Sequence, residues 1–260
     1  MWFVADGKLV SLILFMFFCV LEYYFYREAK QGKARKLRRV EGVDKIDEAI
    51  GRATEMGRPV FTITGLDSFY SSETPAVICN LNVISYVSRK AAEMGTPVII
   101  GVGPSDVLPV ATELYREGCA AAGKPEMFKE DNVRFLTPQQ WAYTAAIMGI
   151  IDRELPAACV FIGRIYAEAL HFGIVARRSG ALSIAGNTDL GMASFFVVTC
   201  DYTLLGEEMY AAGAYVSGDP FQINAIVGQD VMKWVVSVLL LIGVVAVTVG
   251  SSLMKSLFAL

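Results

Sequence analysis

Glycine and polar residues follow several short, apolar, β-branched segments of the chain, and these positions are where the sequence could carry chemistry. The residues that share this placement are Gly65, Asp67, Gly101, Gly103, Asp106, Gly163, Arg164, Asn187 and Asp189. In an open α/β sheet, ligands bind beyond the carboxyl ends of the strands. If the apolar segments are strands of one sheet, these residues form the rim of a ligand-binding pocket.

The segment Gly101–Asp106 is the sharpest candidate motif among them. Two of its glycines match a dinucleotide-binding fingerprint, but Asp106 replaces the third glycine. Pro104 offers no amide hydrogen, and Asp106 places a negative charge where a phosphate would lie. The sequence therefore favours a helix-capping role for Ser105 or Asp106 over phosphate binding.

An acid–base pair is the other candidate chemistry. His171, the single histidine, lies three residues after Glu168, so the two side chains share one face of a helix. A half-buried histidine near a helix end is the alternative interpretation. One histidine and five cysteines without a C-x-x-C pair do not make a zinc site. We expect no metal and no cofactor.

Helical and strand patterns alternate through the middle of the chain, residues 43–230. Such alternation is typical of an α/β fold with a doubly wound, mostly parallel sheet, because the crossover helices cover both faces. The sequence predicts about six strands, at residues 59–63, 97–102, 132–136, 158–162, 181–185 and 196–200.

Two apolar blocks flank this domain and account for much of the 54% hydrophobic content of the chain. They predict transmembrane helices at residues 9–26 and 233–254, since about twenty helical residues cover the roughly 30 Å hydrocarbon core. Residues 1–8 and 255–260 would then be short tails.

Charge predicts the orientation of these spans. Residues 27–42 form a linker with seven basic residues between Arg27 and Arg39, and only Lys8 precedes the first span. The positive-inside rule then places the α/β domain in the cytoplasm and both termini outside the cell membrane. The basic stretch would attract anionic lipid headgroups of the bilayer. Residues 40–230 carry 13 Lys and Arg against 23 Asp and Glu, which argues against nucleic-acid binding.

The spans contain candidate packing residues. Gly243, Ala246 and Gly250 recur at helical spacing, which permits close approach of another helix. Glu22 and Lys233 each lie near the inner end of a span and could form an ion pair within or between subunits. Two helices are too few to enclose a pore, so any transport would require a homo-oligomer.

Three segments carry a resemblance to a known family: Ala49–Val60, Cys200–Pro220 and Gly228–Asp230. Over essentially the whole chain, the sequence resembles a prokaryotic membrane-protein family catalogued as a domain of unknown function. The resemblance implies two terminal transmembrane helices around an α/β domain. It transfers no catalytic residue.

These observations favour a membrane-anchored scaffold that forms homo-oligomers and performs no catalysis. The alternative is a ligand-binding or sensory Rossmann-like domain that uses the glycine-rich strand ends. An enzyme built on Glu168 and His171 is the third possibility.

Overall fold

The computed structural model describes residues 9–33, 35 and 40–248. The chain divides into two compact units, an α/β unit of residues 38–217 and a helical unit formed by the segments before and after it. The predicted tails 1–8 and 255–260 lie outside the described residues, as do positions 34, 36–39 and 249–254.

Helices and strands alternate as the sequence predicts. In the described residues the helices are α1 (Leu9–Lys30), α2 (Glu41–Met56), α3 (Thr74–Met94), α4 (Leu108–Ala121), α5 (Gln140–Glu154), α6 (Ala169–Ser179), α7 (Leu190–Thr199), α8 (Glu207–Ser217) and α9 (Pro220–Thr248). The strands are β1 (Val60–Ile63), β2 (Val98–Val102), β3 (Val133–Phe135), β4 (Ala158–Ile162), β5 (Leu182–Asn187) and β6 (Tyr202–Leu205).

All six of these strands pair in parallel, in the order β3-β2-β1-β4-β5-β6. Helices α2, α3, α4 and α8 contact one another on one face, and α5, α6 and α7 contact one another on the other. The predicted α/β class with a parallel sheet is therefore confirmed. Both faces of the central strands are buried, which is why these strands read as continuous apolar runs.

A cluster of phenylalanines fills the core beneath α5, α6 and α7. The ring of Phe161 on β4 stacks on Phe172 of α6 and on Phe196 of α7, with centroid distances of 5.5 and 6.3 Å. Phe61 on the neighbouring strand meets the same ring edge-on at 6.4 Å. This packing fixes β1 and β4 side by side.

One predicted strand is wrong. Residues 196–200 belong mainly to helix α7, and the sixth strand lies further along, at Tyr202–Leu205. The side chain of Asp189 caps α7, because its Oδ1 accepts hydrogen bonds from Gly191 N and Met192 N at 2.8 and 3.2 Å. A good cap thus starts a helix in an apolar segment whose composition resembles a strand.

In the helical unit, α1 and α9 pack against each other. Asn224 of α9 is almost fully buried, and its Nδ2 donates to the carbonyl oxygens of Lys33 and Phe25 at 2.9 and 3.3 Å. Its Oδ1 accepts from Arg35 N at 3.0 Å. This side chain holds the segment that follows α1 against α9.

Among the described residues, α9 alone is both long and apolar enough to cross a membrane. It has 29 residues, and it begins at Pro220, thirteen residues before the predicted span. Residues 218–230, predicted to close the α/β domain, belong to the helical unit. By length and composition, the described residues therefore contain one candidate membrane-spanning helix, and the first span predicted at residues 9–26, within α1, is not identified as a second one.

Candidate functional site

The strand order creates one topological switch point, between β1 and β4. From these two neighbours the chain proceeds to β2 and β3 on one side and to β5 and β6 on the other. The loops that follow β1 and β4, residues 64–73 and 163–168, diverge at the carboxyl edge of the sheet. In folds of this type, that divergence opens a crevice for ligands.

Asp67, in the loop after β1, has one unsatisfied carboxylate oxygen. Its Oδ2 is buried and has no hydrogen-bond partner in the described part of the chain. Burial raises the pKa of this carboxyl above its ordinary value, and the nearby Arg164 guanidinium opposes the shift. A buried acceptor without a donor is costly and marks a place where a donor could bind.

Arg164, in the loop after β4, is the cation of this site. Its Nη1 lies 2.9 Å from Glu73 Oε1, and its guanidinium lies 5.2 Å from the ring centroid of Tyr166. The side chains of Arg164 and Glu73 are 30% and 26% exposed, so the pair remains accessible to solvent. It bridges the two loops across the switch point.

Asn80 of α3 adds a second unsatisfied acceptor. The residue is 1% exposed, and its Nδ2 donates to the carbonyl oxygen of Ile63 at the end of β1, at 3.0 Å. That bond fixes the orientation of the amide, so Oδ1 points elsewhere, and Oδ1 has no partner among the described residues. A Cβ on Gly163 would lie 3.2 Å from Asn80 Nδ2, so the amide lies directly at the end of β4.

Glycines allow the loops after β1, β2 and β4 to pack closely against one another. Gly65 and Gly163 have φ values of +76° and +137°, which side-chain-bearing residues rarely adopt. A Cβ on Gly103 would lie 2.6 Å from the carbonyl oxygen of Gly65. Gly101 lies deeper, where its carbonyl oxygen accepts a hydrogen bond of 3.0 Å from the hydroxyl of buried Tyr143. Thus Gly65 and Gly163 shape the crevice, and Gly101 and Gly103 support it.

Three of the predicted rim residues have structural partners instead. Asp106 Oδ2 accepts from Ser68 Oγ and Phe69 N at 2.7 and 2.9 Å, which ties down the loop after β1. Asn187 Nδ2 donates to Ile165 O, and its Oδ1 accepts from Asp189 N. Asp189 is the cap of α7.

The Gly101–Asp106 motif begins in the last two residues of β2, one strand away from the switch point. Helix α4 begins only at Leu108. The residue at its N-cap is Val107, whose side chain makes no capping hydrogen bond. The capping role expected for Ser105 or Asp106 is therefore wrong for this helix. Asp106 acts on the neighbouring loop because Ser68 and Phe69 lie within its reach.

The side chains of Glu168 and His171 have different surroundings and do not form a pair in the described structure. The Glu168 carboxylate is buried and accepts a hydrogen bond from Gln140 Nε2. The His171 ring meets Trp141 edge-on at 6.0 Å, and its buried Nδ1 has no hydrogen-bond partner in the described chain. The arrangement gives no support to an acid–base pair.

The residues predicted to pack the two spans have different surroundings in the structure. Glu22 of α1 packs on Gly228 of α9, where an added Cβ would meet its Oε1 at 2.4 Å. Lys233 Nζ lies 3.0 Å from Asp230 Oδ1, one turn before it. In α9, Gly243 is buried and Ala246 is half-buried, whereas Gly250 lies outside the described residues.

Sequence reasoning missed four residues of the switch point: Glu73, Asn80, Tyr166 and Tyr210. Tyr210 comes from α8, and burial raises the pKa of both tyrosines while they remain within electrostatic reach of Asp67. Only Glu73 has a local signal, because it precedes the Thr74-Pro75 start of α3. No group of three or more His, Cys, Asp or Glu among the described residues could hold a metal ion.

A parallel sheet in this order, with polar loops at its switch point, defines a Rossmann-like α/β protein. A family model matches residues 1–258, and the chain belongs to that family, which is described as a domain of unknown function (DUF6754). This confirms the part of the resemblance that concerns a family catalogued as a domain of unknown function. Neither the curated proteins nor the solved structures contain a match to the chain.

Proposed function

We propose that this protein is a membrane-tethered binding domain that holds a small ligand at the switch point of its sheet. The observation that carries the proposal is the buried Oδ2 of Asp67, which has no donor among the described residues. A ligand that donates a hydrogen bond to this oxygen would remove the cost of burying it unsatisfied, about 1–3 kcal/mol.

The surroundings of Asp67 support a binding role more than a structural one. The Arg164–Glu73 pair is partly exposed and can rearrange around a ligand. Gly65 and Gly163, both buried, let the loops after β1 and β4 turn with positive φ directly at the strand ends. Structural carboxylates elsewhere in the unit, such as Asp106 and Asp189, have their donors in place.

The proposal includes the tether. Helix α9 can cross a membrane, and the first apolar block, within α1, would supply the second crossing. The basic residues between Arg27 and Arg39 favour a double-pass topology with the α/β unit in the cytoplasm and both termini outside. The same residues would contact anionic headgroups.

The test begins with the full chain purified in a mild detergent. Small molecules released on denaturation are identified by mass spectrometry and compared between the wild type, Asp67→Asn and Asp131→Asn. Asp131 is an exposed carboxylate in the short 3₁₀ turn before β3, so its substitution is the matched control. We expect a stoichiometric molecule in the wild type and the control, and its loss in Asp67→Asn. The proposal is contradicted if the Asp67→Asn variant retains the molecule, or if no molecule is released from the wild type or from either variant.

A scaffold that assembles as a homo-oligomer is the second candidate, and helix α7 favours it. This uncharged helix leaves Leu190, Val197 and Val198 exposed by 67, 56 and 74%. Exposed apolar surface of this kind is typical of contact sites. The native mass of the detergent-solubilised particle should then be discrete and multimeric, and Val198→Lys should reduce it. Val110→Lys, on the opposite face of the sheet, is the control; a wild type that is monomeric at all workable concentrations excludes the scaffold.

A further inference from the structure

The loops at the switch point carry an excess of negative charge. Residues 64–73 and 163–168 contain three carboxylates, Asp67, Glu73 and Glu168, and one cation, Arg164. Arg164 pairs with Glu73, and Glu168 is buried against Gln140. Asp67 and Glu168 have no ion pair of their own in the described chain, and of these two only Asp67 has a buried oxygen without a hydrogen-bond donor.

The helix N-termini that approach this crevice are already next to carboxylates. Helix α3 begins directly after Glu73, and α6 begins directly after Glu168. Phosphates bind at such positions because the helix dipole and the free amide groups attract negative charge. Neither glutamate side chain caps its helix, and Glu73 is paired with Arg164, but three carboxylates against one cation still leave the two loops with a net charge of −2, which disfavours a further anion.

The unsatisfied atom of Asp67 is an acceptor, because its buried Oδ2 lacks a donor in the described residues. Asn80 lies close by, with its amide nitrogen at the ends of β1 and β4, and carries a second buried acceptor without a donor, its Oδ1. An ammonium group has three donors and no acceptor, which matches such a set.

We infer that the switch-point ligand is a small organic cation whose ammonium group donates to Asp67, in a crevice that disfavours anions. This inference rests on the proposed function and narrows its ligand to one chemical class. It follows from the charge of the two loops, the carboxylates at both helix N-termini and the acceptor character of the unsatisfied atoms.

Three four-carbon compounds test the inference, since they differ only in their end groups: 1,4-diaminobutane, 1,4-butanediol and succinate. Each is titrated into the full chain in detergent at constant ionic strength, and binding is followed by calorimetry and by the thermal unfolding midpoint. We expect the diamine to bind and to raise the midpoint, the diol to bind at least about tenfold more weakly, and succinate to show no binding. The Asp67→Asn variant should bind the diamine about tenfold or more weakly, because it loses one charge-assisted hydrogen bond. The Asp131→Asn variant should bind the diamine as tightly as the wild type does.

The outcomes separate the two proposals. Binding of the diol or of succinate as tight as that of the diamine, and lost in Asp67→Asn, overturns the cation inference and leaves the binding site standing. Diamine binding that survives in Asp67→Asn overturns the inference as well, because the cation then binds elsewhere. If no compound binds and no molecule is released from the purified chain, both the inference and the proposed function fail.

Discussion

The substitution Gly103→Ala probes how tightly the loop after β1 is held at the switch point. A Cβ at this position would lie 2.6 Å from the carbonyl oxygen of Gly65, 3.2 Å from Leu66 Cδ2 and 3.4 Å from Tyr143 Cε2. The first contact is with backbone, and Tyr143 is buried and hydrogen-bonded to Gly101 O, so neither neighbour can simply rotate away.

The expected cost follows from that geometry. The Gly65 carbonyl must shift by several tenths of an ångström, and an extra methyl group in a closely packed site costs about 1–3 kcal/mol. In a chain of this size, each kcal/mol lowers the thermal midpoint by about 2–4 °C. We therefore expect Gly103→Ala to unfold about 2–12 °C lower than the wild type, and to weaken binding at Asp67, two residues beyond the displaced carbonyl.

Gly51→Ala is the matched control. Gly51 lies within α2, and no heavy atom lies within 4 Å of its Cβ position. Alanine in a helix interior should stabilise the chain by about 0.5–1 kcal/mol. Thermal scans of the two variants in the same detergent make the comparison. If Gly103→Ala unfolds at or above the temperature of Gly51→Ala, the close packing of the two loops is refuted.

Further measurements test other parts of the structure. Tyr143→Phe removes one of two hydrogen bonds to Gly101 O and should lower the free energy of unfolding by about 0.5–1.5 kcal/mol in denaturant titrations, since the carbonyl keeps its bond from Thr64 N. Burial raises the pKa of the Asp67 carboxyl in the folded protein above its value in the unfolded chain. The protonated carboxyl therefore contributes stability that is complete below the unfolded pKa and is lost as the pH rises through the folded pKa. Asp67→Asn should therefore unfold at the same or a higher temperature than the ligand-free wild type at pH 7, and a clear fall would contradict this. Burial raises the pKa of Cys79 to about 12, so iodoacetamide at pH 8 should alkylate it only after unfolding, as seen by mass spectrometry of its peptide. Asn224→Ala should speed proteolysis of the segment after α1, because Lys33 O loses its donor and Arg35 N loses its acceptor.

Much of the fold was predictable, because buried parallel strands are short apolar runs between helical segments. The error at residues 196–200 has a clear physical cause. The sequence Phe-Phe-Val-Val-Thr at 195–199 has strand-like composition, but short apolar runs fit a buried helix equally well. The deciding signal was the aspartate at 189, which caps α7.

The site was predictable in part. Asp67 and Arg164 were found because they follow glycines at strand ends, where the fold concentrates ligand contacts. Asn80 and Tyr210 come from the bodies of α3 and α8, and only tertiary packing brings them to the strand ends. Asp106 and Asn187 were assigned to the rim by position, although local hydrogen bonds had already engaged them.

The two outer strands of the sheet are its shortest or nearly so, with three residues in β3 and four in β6. A free edge of that length offers few amide and carbonyl groups to another chain, and the arginine at 134 places a charge on the β3 edge. Crowded copies of this protein therefore have little tendency to polymerise by adding strand to strand, because neither edge offers the length that a continuous intermolecular sheet needs.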